Sequence, residues 1–285
     1  MTARTVTVVG ARMRVIGSSA GTREPVLLVH GVGGWAENWR ETLRALEAAG
    51  HPAYALDLPG FGQSERVRRA RYFDAARPFY AELIVGTLDA LGLAHAHLVG
   101  HSLGGAIAYT AAVHAPDRFS SLVLVAGAGL GLEVAFSLRL AALPGMGLLA
   151  RLRGRRYARA GLASCFLDPR RAPEELWLEA DRYVPPSLGE TIRVLRHGLT
   201  LRGVRPRLRE AWAARAPRFT RPVLVVWGRE DVVIPVAAAT AARELFPRAE
   251  VVVIPDAGHL VMIEQPSAFA RALLPFLDRV APLPR

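Results

Sequence analysis

The chain has 285 residues, 51% of them apolar and 21% charged, with a formal net charge of +11. That balance excludes a disordered chain and suits a soluble globular protein of one large domain or two small ones. All 36 basic residues are arginine, but neither aromatic interleaving nor a recognition motif accompanies them, so no nucleic-acid partner is expected.

Thr5–Val9 and Arg12–Ile16 alternate in polarity around Gly10, which predicts an opening hairpin. Residues 1–9 hold no long apolar stretch or cleavage-like site, so a secretory signal is not expected. The single cysteine, Cys165, has no intramolecular partner, and a cytoplasmic location is expected. Apolar runs then recur at Val26–Val29, Ala53–Leu56, His97–Val99, Leu122–Ala126, Val223–Trp227 and Val251–Ile254. They are too continuous for half-exposed strands and predict a sheet buried on both faces. Helical segments lie between them at Trp39–Ala49, Ala75–Leu91, Leu103–His114, Val236–Phe246 and Pro266–Val280. This alternation defines an α/β fold class with a mostly parallel central sheet flanked by helices. Sheets of this kind place ligands at the carboxyl ends of their strands.

Residues 130–219 break the rhythm, with no convincing strand and with helical segments punctuated by Pro144, Pro169, Pro173, Pro185-Pro186 and Pro206. Leu138, Leu140, Leu143, Met146, Leu148, Leu149, Phe166, Trp177 and Leu178 are candidates to line an apolar pocket there, although most are expected only to hold the segment together. Leu122–Ala150 is the most membrane-like stretch, but Glu133, Arg139 and Pro144 interrupt it, so no stable membrane insertion is expected. The densest arginine cluster, at 151, 153, 155, 156 and 159, reads as a solvated face.

Chemistry concentrates at Gly100-His101-Ser102-Leu103-Gly104, between an apolar strand and an alanine-rich helix. A reversal this tight strains the serine backbone, needs glycine on either side, and exposes the hydroxyl above a helix N-terminus. A serine hydroxyl needs a base. His259, after a strand and Gly258, is the candidate; His51, His95, His97, His114 and His197 lack such a setting. His30 reads as structural, and His101 as a shaper of the pocket. For the acid, Asp231 competes with Glu230 and Asp256, and Asp231 could also be a helix N-cap. Glu230 is expected to face solvent or pair with Arg229. No metal or cofactor is implied, since the histidines lack ligand spacing and no nucleotide-binding glycine pattern is present.

These motifs resemble the α/β-hydrolase family over nearly the whole chain. Val26–Gly34 looks like its strand and oxyanion loop, Ala55–Ser64 its DxPGxGxS turn, Val223–Asp231 its acid strand and Asp256–His259 its histidine loop. The resemblance implies a triad of Ser102, Asp231 and His259, with the backbone N–H groups of Val32 and Leu103 as oxyanion hole. It implies a core of residues 1–129 and 220–285 and a helical cap over 130–219, inserted after the sixth strand. Trp35, His101, Leu143, Met146 and Leu260 are the expected substrate contacts, although Trp35 could equally pack against the following helix.

A serine in the nucleophile position excludes the family's aspartate-dependent reactions. The leading expectation is a carboxylesterase or small lipase acting on a small lipophilic ester. Carbon–carbon hydrolysis of ring-fission products is the alternative, weakened by two departures. Those relatives usually carry GNSMGG, where this chain has Gly100-His101-Ser102-Leu103-Gly104-Gly105, and tryptophan where it has Leu260. A perhydrolase or acyltransferase is the lesser alternative, and a binding-only protein is disfavoured because all three triad members are present. A homo-oligomer is left open.

Overall fold

The structure, a computed structural model, describes residues 1–67, 72–73, 78–281 and 283, with the side chains of 147–151 and 153 left undescribed. The opening hairpin is β1 (Thr2–Val8) and β2 (Ala11–Ser18), paired antiparallel. Then come β3 (Val26–Val29), α1 (Arg40–Ala48), β4 (Ala53–Leu56), α2 (Phe79–Leu91), β5 (Ala96–His101), α3 (Leu103–His114) and β6 (Phe119–Val125). Each strand run predicted from the sequence is a strand. The expected helix start at Ala75 lies outside the described residues.

The eight-stranded sheet has the order β1-β2-β4-β3-β5-β6-β9-β10, where β9 is Val223–Gly228 and β10 is Glu250–Ile254. β2 pairs antiparallel to β4, and every pair from β4 to β10 is parallel. The continuous apolar runs follow from burial on both faces. Leu27, Leu98, Leu122, Val225 and Trp227 enter one core cluster, and their sequence neighbours Leu28, Val99, Val123, Leu224 and Val226 enter the other. Alternation along a strand divides the side chains between two cores, each covered by helices.

Between β6 and β9 the chain forms α4 (Phe136–Ala141), α5 (Met146–Ala163), α6 (Glu174–Gly198) and α7 (Pro206–Ala213). Two expectations fail here. Leu199–Thr200 (β7) and Gly203–Val204 (β8) make a short antiparallel hairpin within a region read as strand-free. Pro185-Pro186 do not end a helix, because α6 runs through them over 25 residues. Proline removes one backbone donor but leaves the side-chain pattern intact, and α6 keeps an apolar inner stripe on both sides of the pair. The last helices are α8 (Ala237–Leu245), α9 (Val261–Glu264) and α10 (Pro266–Arg279). Among the described residues no helix is long and apolar enough to cross a membrane.

Candidate active site

Parallel strands point their carboxyl ends the same way, so the loops after β3, β5, β9 and β10 gather on one edge. Ser102 follows β5 with φ 53° and ψ −118°, an unusual conformation for any residue but glycine. Sterics explain the flanking glycines. A Cβ at Gly104 would lie 2.2 Å from the Val29 carbonyl oxygen, and one at Gly100 would lie 2.1 Å from that of Gly104. Helix α3 therefore starts directly beneath the serine: the Ser102 carbonyl takes the Gly105 and Ala106 amides, and among the described residues those of Leu103 and Gly104 have no backbone-carbonyl partner.

Asp231, in the loop after β9, divides its carboxylate between two tasks. Oδ1 accepts from the amides of Val233 and Ile234 at 2.8 and 2.9 Å, and Oδ2 lies 2.7 Å from Nδ1 of His259. The capping role and the histidine contact considered for this aspartate coexist. Glu230, expected to face solvent or pair with Arg229, instead accepts from the Ala257 amide at 3.1 Å, because the loop after β10 folds back against it. The Asp256 carboxylate is exposed, and its backbone carbonyl takes bonds from Arg171 and Gln265.

His259 is buried, and its backbone is clamped on both sides. Its amide donates to the Cys165 carbonyl at 2.8 Å, and its own carbonyl accepts from Nε2 of His101 at 3.0 Å. The two imidazoles lie 4.7 Å apart. Complete burial, with the nearby His259 second, holds His101 well below the ordinary histidine range, so it stays neutral and donates through Nε2. His30 is likewise held neutral by burial. Its Nε2 accepts from the Leu58 amide at 2.9 Å and its Nδ1 donates to the Gly31 carbonyl at 2.7 Å, which sets the loop that follows β3.

Sequence reasoning missed Glu264, on the short helix after His259. This buried carboxylate accepts from the amides of Gly258 at 2.7 Å, Leu167 at 3.0 Å and Asp168 at 3.2 Å. It ties the histidine loop to the insertion. Its position, five residues beyond the histidine, was the only available signal.

Ser102, His101, His259, Leu260, Val32 and Trp35 line one cavity of about 150 Å³, closed by Leu138, Tyr157, Leu162, Leu188 and Leu195 of the insertion. A second space of about 60 Å³ shares Ser102, Val32, Leu138 and Leu195 and runs on past Leu103 to Trp212. Trp35 faces the cavity; its ring packs on Tyr183 at 5.9 Å and donates its indole N–H to Glu179 at 2.9 Å, both on α6 rather than on the helix that follows it. Among the described residues, neither the Val32 nor the Leu103 amide is spent on a backbone carbonyl. Asn38 Nδ2 and Thr191 Oγ1, both overlooked in the sequence, belong to residues that line the cavity and have no hydrogen-bond partner among the described residues.

Two expected substrate contacts do not reach the serine. Leu143 lines an outer cleft instead, and Met146 is not among the residues around either cavity. Both flank the turn between α4 and α5, where Gly145 has φ 85°. Apolar character alone could not distinguish an inner from an outer rim. Leu148, Leu149, Arg151 and Arg153 lie outside the described side chains. Phe166 packs on Trp177 within a core cluster and Leu178 is exposed. Arg155, Arg156 and Arg159 are exposed, and Arg159 pairs with Asp181 at 2.7 Å, as a solvated face would. Among the described residues no group of three or more His, Cys, Asp or Glu side chains could hold a metal ion.

A family model for the alpha/beta hydrolase fold matches residues 24–266. The dihydrolipoyllysine-residue acetyltransferase component of the acetoin cleaving system of Pseudomonas putida is 33% identical over 265 residues, 93% of this chain and 65% of that protein. This chain thus spans 65% of the length of that relative. The 2-hydroxy-6-oxo-6-phenylhexa-2,4-dienoate hydrolase of Burkholderia cepacia is 30% identical, covering 94% of this chain and 92% of that enzyme. Among solved structures, a membrane phospholipase A described as a bacterial virulence factor superposes with a TM-score of 0.78 at 27% identity, over 97% of this chain and 86% of that one. With a matching family model over most of its length, a parallel sheet of the matching topology and a strained serine on the turn after β5, the chain belongs to the α/β-hydrolase fold family.

Proposed function

We propose that this hydrolase cleaves carboxylic esters of lipophilic substrates through an acyl-enzyme, with residues 130–219 acting as a helical cap over the site. In this reading Ser102 Oγ attacks the acyl carbon while His259 Nε2 accepts its proton. Asp231 Oδ2 takes the hydrogen bond from His259 Nδ1 at 2.7 Å, which fixes the tautomer and stabilises the imidazolium. The oxygen that becomes negative is met by the Val32 and Leu103 amides. Such donors need no reorganisation, and losing one typically costs about 100- to 1000-fold in rate. The protonated His259 then gives its proton to the departing alcohol, and water, activated by the same imidazole, releases the acid.

One observation carries the choice of ester. Among the described residues, neither space that touches Ser102 is lined by an arginine, aspartate or glutamate. A dienoate ring-fission product carries a carboxylate, which would be costly to desolvate there without a cationic partner. Carbon–carbon hydrolysis stays as the second reading because the Burkholderia relative, named for a dienoate, aligns along almost the whole chain.

The test is a series of p-nitrophenyl esters of increasing chain length, run beside a dienoate ring-fission product. Nitrophenol release that Ser102→Ala abolishes is expected. Bleaching of the dienoate with no nitrophenol release would replace the ester reading by the second one.

A further inference from the structure

Helix α6 separates two environments. Val184, Leu188, Thr191, Leu195 and Gly198 recur at three- and four-residue spacing on the face toward Ser102. Gly189, Ile192, Arg193 and Arg196 lie on the opposite face, where they line an outer cleft of about 880 Å³. Arg66, Arg139 and Arg205 complete its cationic wall. Leu199 lines both the cleft and the space beside Ser102.

Among the described residues the charges in this cleft are unbalanced. Five guanidiniums converge on it, and Glu190, bonded to Arg66 at 2.7 Å and 3.5 Å from Arg193, is the carboxylate they share among the described residues. Arg193 is built in: its guanidinium lies over the Tyr72 ring at 4.8 Å and donates to the Val67 carbonyl. The other three lack a carboxylate among the described residues. Arg139 and Arg205 spend one N–H each on the carbonyls of Val134 and Arg196, and the Arg196 side chain has no hydrogen bond or ion pair among the described residues. His197 reports the resulting field. Burial first, then Arg193, Arg205 and Arg196, hold its imidazole below the ordinary range. Unspent guanidinium forks around a concave surface match the oxygens of a phosphate.

We propose that the arginine cleft binds the phosphodiester head of an amphiphilic ester, whose acyl arm passes Leu199 to reach Ser102. This rests on the ester-hydrolase reading and names its substrate class: a phosphate-bearing lipid-like ester, with the charge held outside and the chain inside. The two compartments explain how a strongly cationic insertion can enclose a cavity without charged side chains.

Binding is measured first, by titrating monomeric dihexanoylphosphatidylglycerol into the Ser102→Ala protein. Adding Arg196→Gln and Arg205→Gln, both at exposed positions that leave the core untouched, is expected to weaken binding by about tenfold per arginine. Arg44→Gln with Arg279→Gln removes the same charge elsewhere and is expected to leave it unchanged. Equal weakening by the two pairs, or none by either, would overturn the site in favour of overall charge. Inorganic phosphate or neutral dihexanoylglycerol binding as tightly as the phospholipid would overturn the head-group assignment. Should the native chain release no nitrophenol from p-nitrophenyl esters while arginine-dependent lipid binding persists, the ester-hydrolase reading falls and the head-group site stands. In the native chain, the ratio of kcat/KM for the phospholipid over dihexanoylglycerol is expected to fall about as far as binding does in the cleft variant.

Discussion

At the scale of single residues, Asp231, the proposed acid, is the informative one, because its two carboxylate oxygens have different partners. Its Oδ1 holds two amides of its own loop and its Oδ2 holds His259. Asp231→Asn keeps an oxygen for the loop but presents an amide to the imidazole, favouring the wrong tautomer. We expect kcat to fall by about 10⁴-fold with little change in melting temperature. Asp231→Ala removes the loop acceptor as well, leaving two buried amides unpaired at about 1–3 kcal/mol. Calorimetry separates the two variants, and equal destabilisation by both would show that Oδ1 contributes nothing to the fold.

At the scale of elements, the loops around His259 are braced from the insertion. Cys165 receives the His259 amide, and Glu264 gathers amides from Gly258, Leu167 and Asp168. Glutamine at 264 has one acceptor oxygen in place of two, so at least one buried amide loses its partner. Glu264→Gln should cost about 1–3 kcal/mol and, through displacement of the imidazole, lower kcat by roughly 10- to 100-fold. A variant with lowered melting temperature but unaltered kcat would show that Glu264 only holds the fold together. The sheet and the motif residues were legible because each has a local cause: apolar runs bury two faces, and Ser102, Asp231 and His259 each follow a strand. Glu264, Asn38 and Thr191 were not legible, since they contribute through partners, or the lack of them, supplied by distant segments. Leu143 and Met146 were misplaced for a related reason. Their hydrophobicity was plain, but the turn at Gly145 beside them has no apolar signature.

At the scale of the whole molecule, protons should act at the end of the sheet opposite the site. His97 bonds Ser121 at 2.8 Å and lies 6.0 Å from His51, with His95, Glu24, Arg23 and Asp278 around the same cleft. Burial, reinforced by His51 and His95, pushes His97 down to about 3, and burial also lowers His51. His97 stays neutral in the fold and His51 takes up a proton less readily than usual, whereas in the unfolded chain both are protonated near their ordinary value. The unfolded state thus binds more protons below about pH 6.5, and the slope of stability is about 1.4 kcal/mol per pH unit for one such histidine. Stability is complete above that pH and lost as the pH falls toward 3. Thermal melts from pH 7.5 to 4 should show a falling midpoint that His97→Asn reduces; an unchanged slope in that variant would shift the cause to other groups.

Because one helix presents its two faces to two compartments, its length is constrained as tightly as its composition. A single extra residue inserted just after Pro186 would rotate everything beyond it by about 100°. Guanidiniums would swing toward the serine and leucines toward solvent, so deletions and duplications in this segment should be far less tolerated than substitutions.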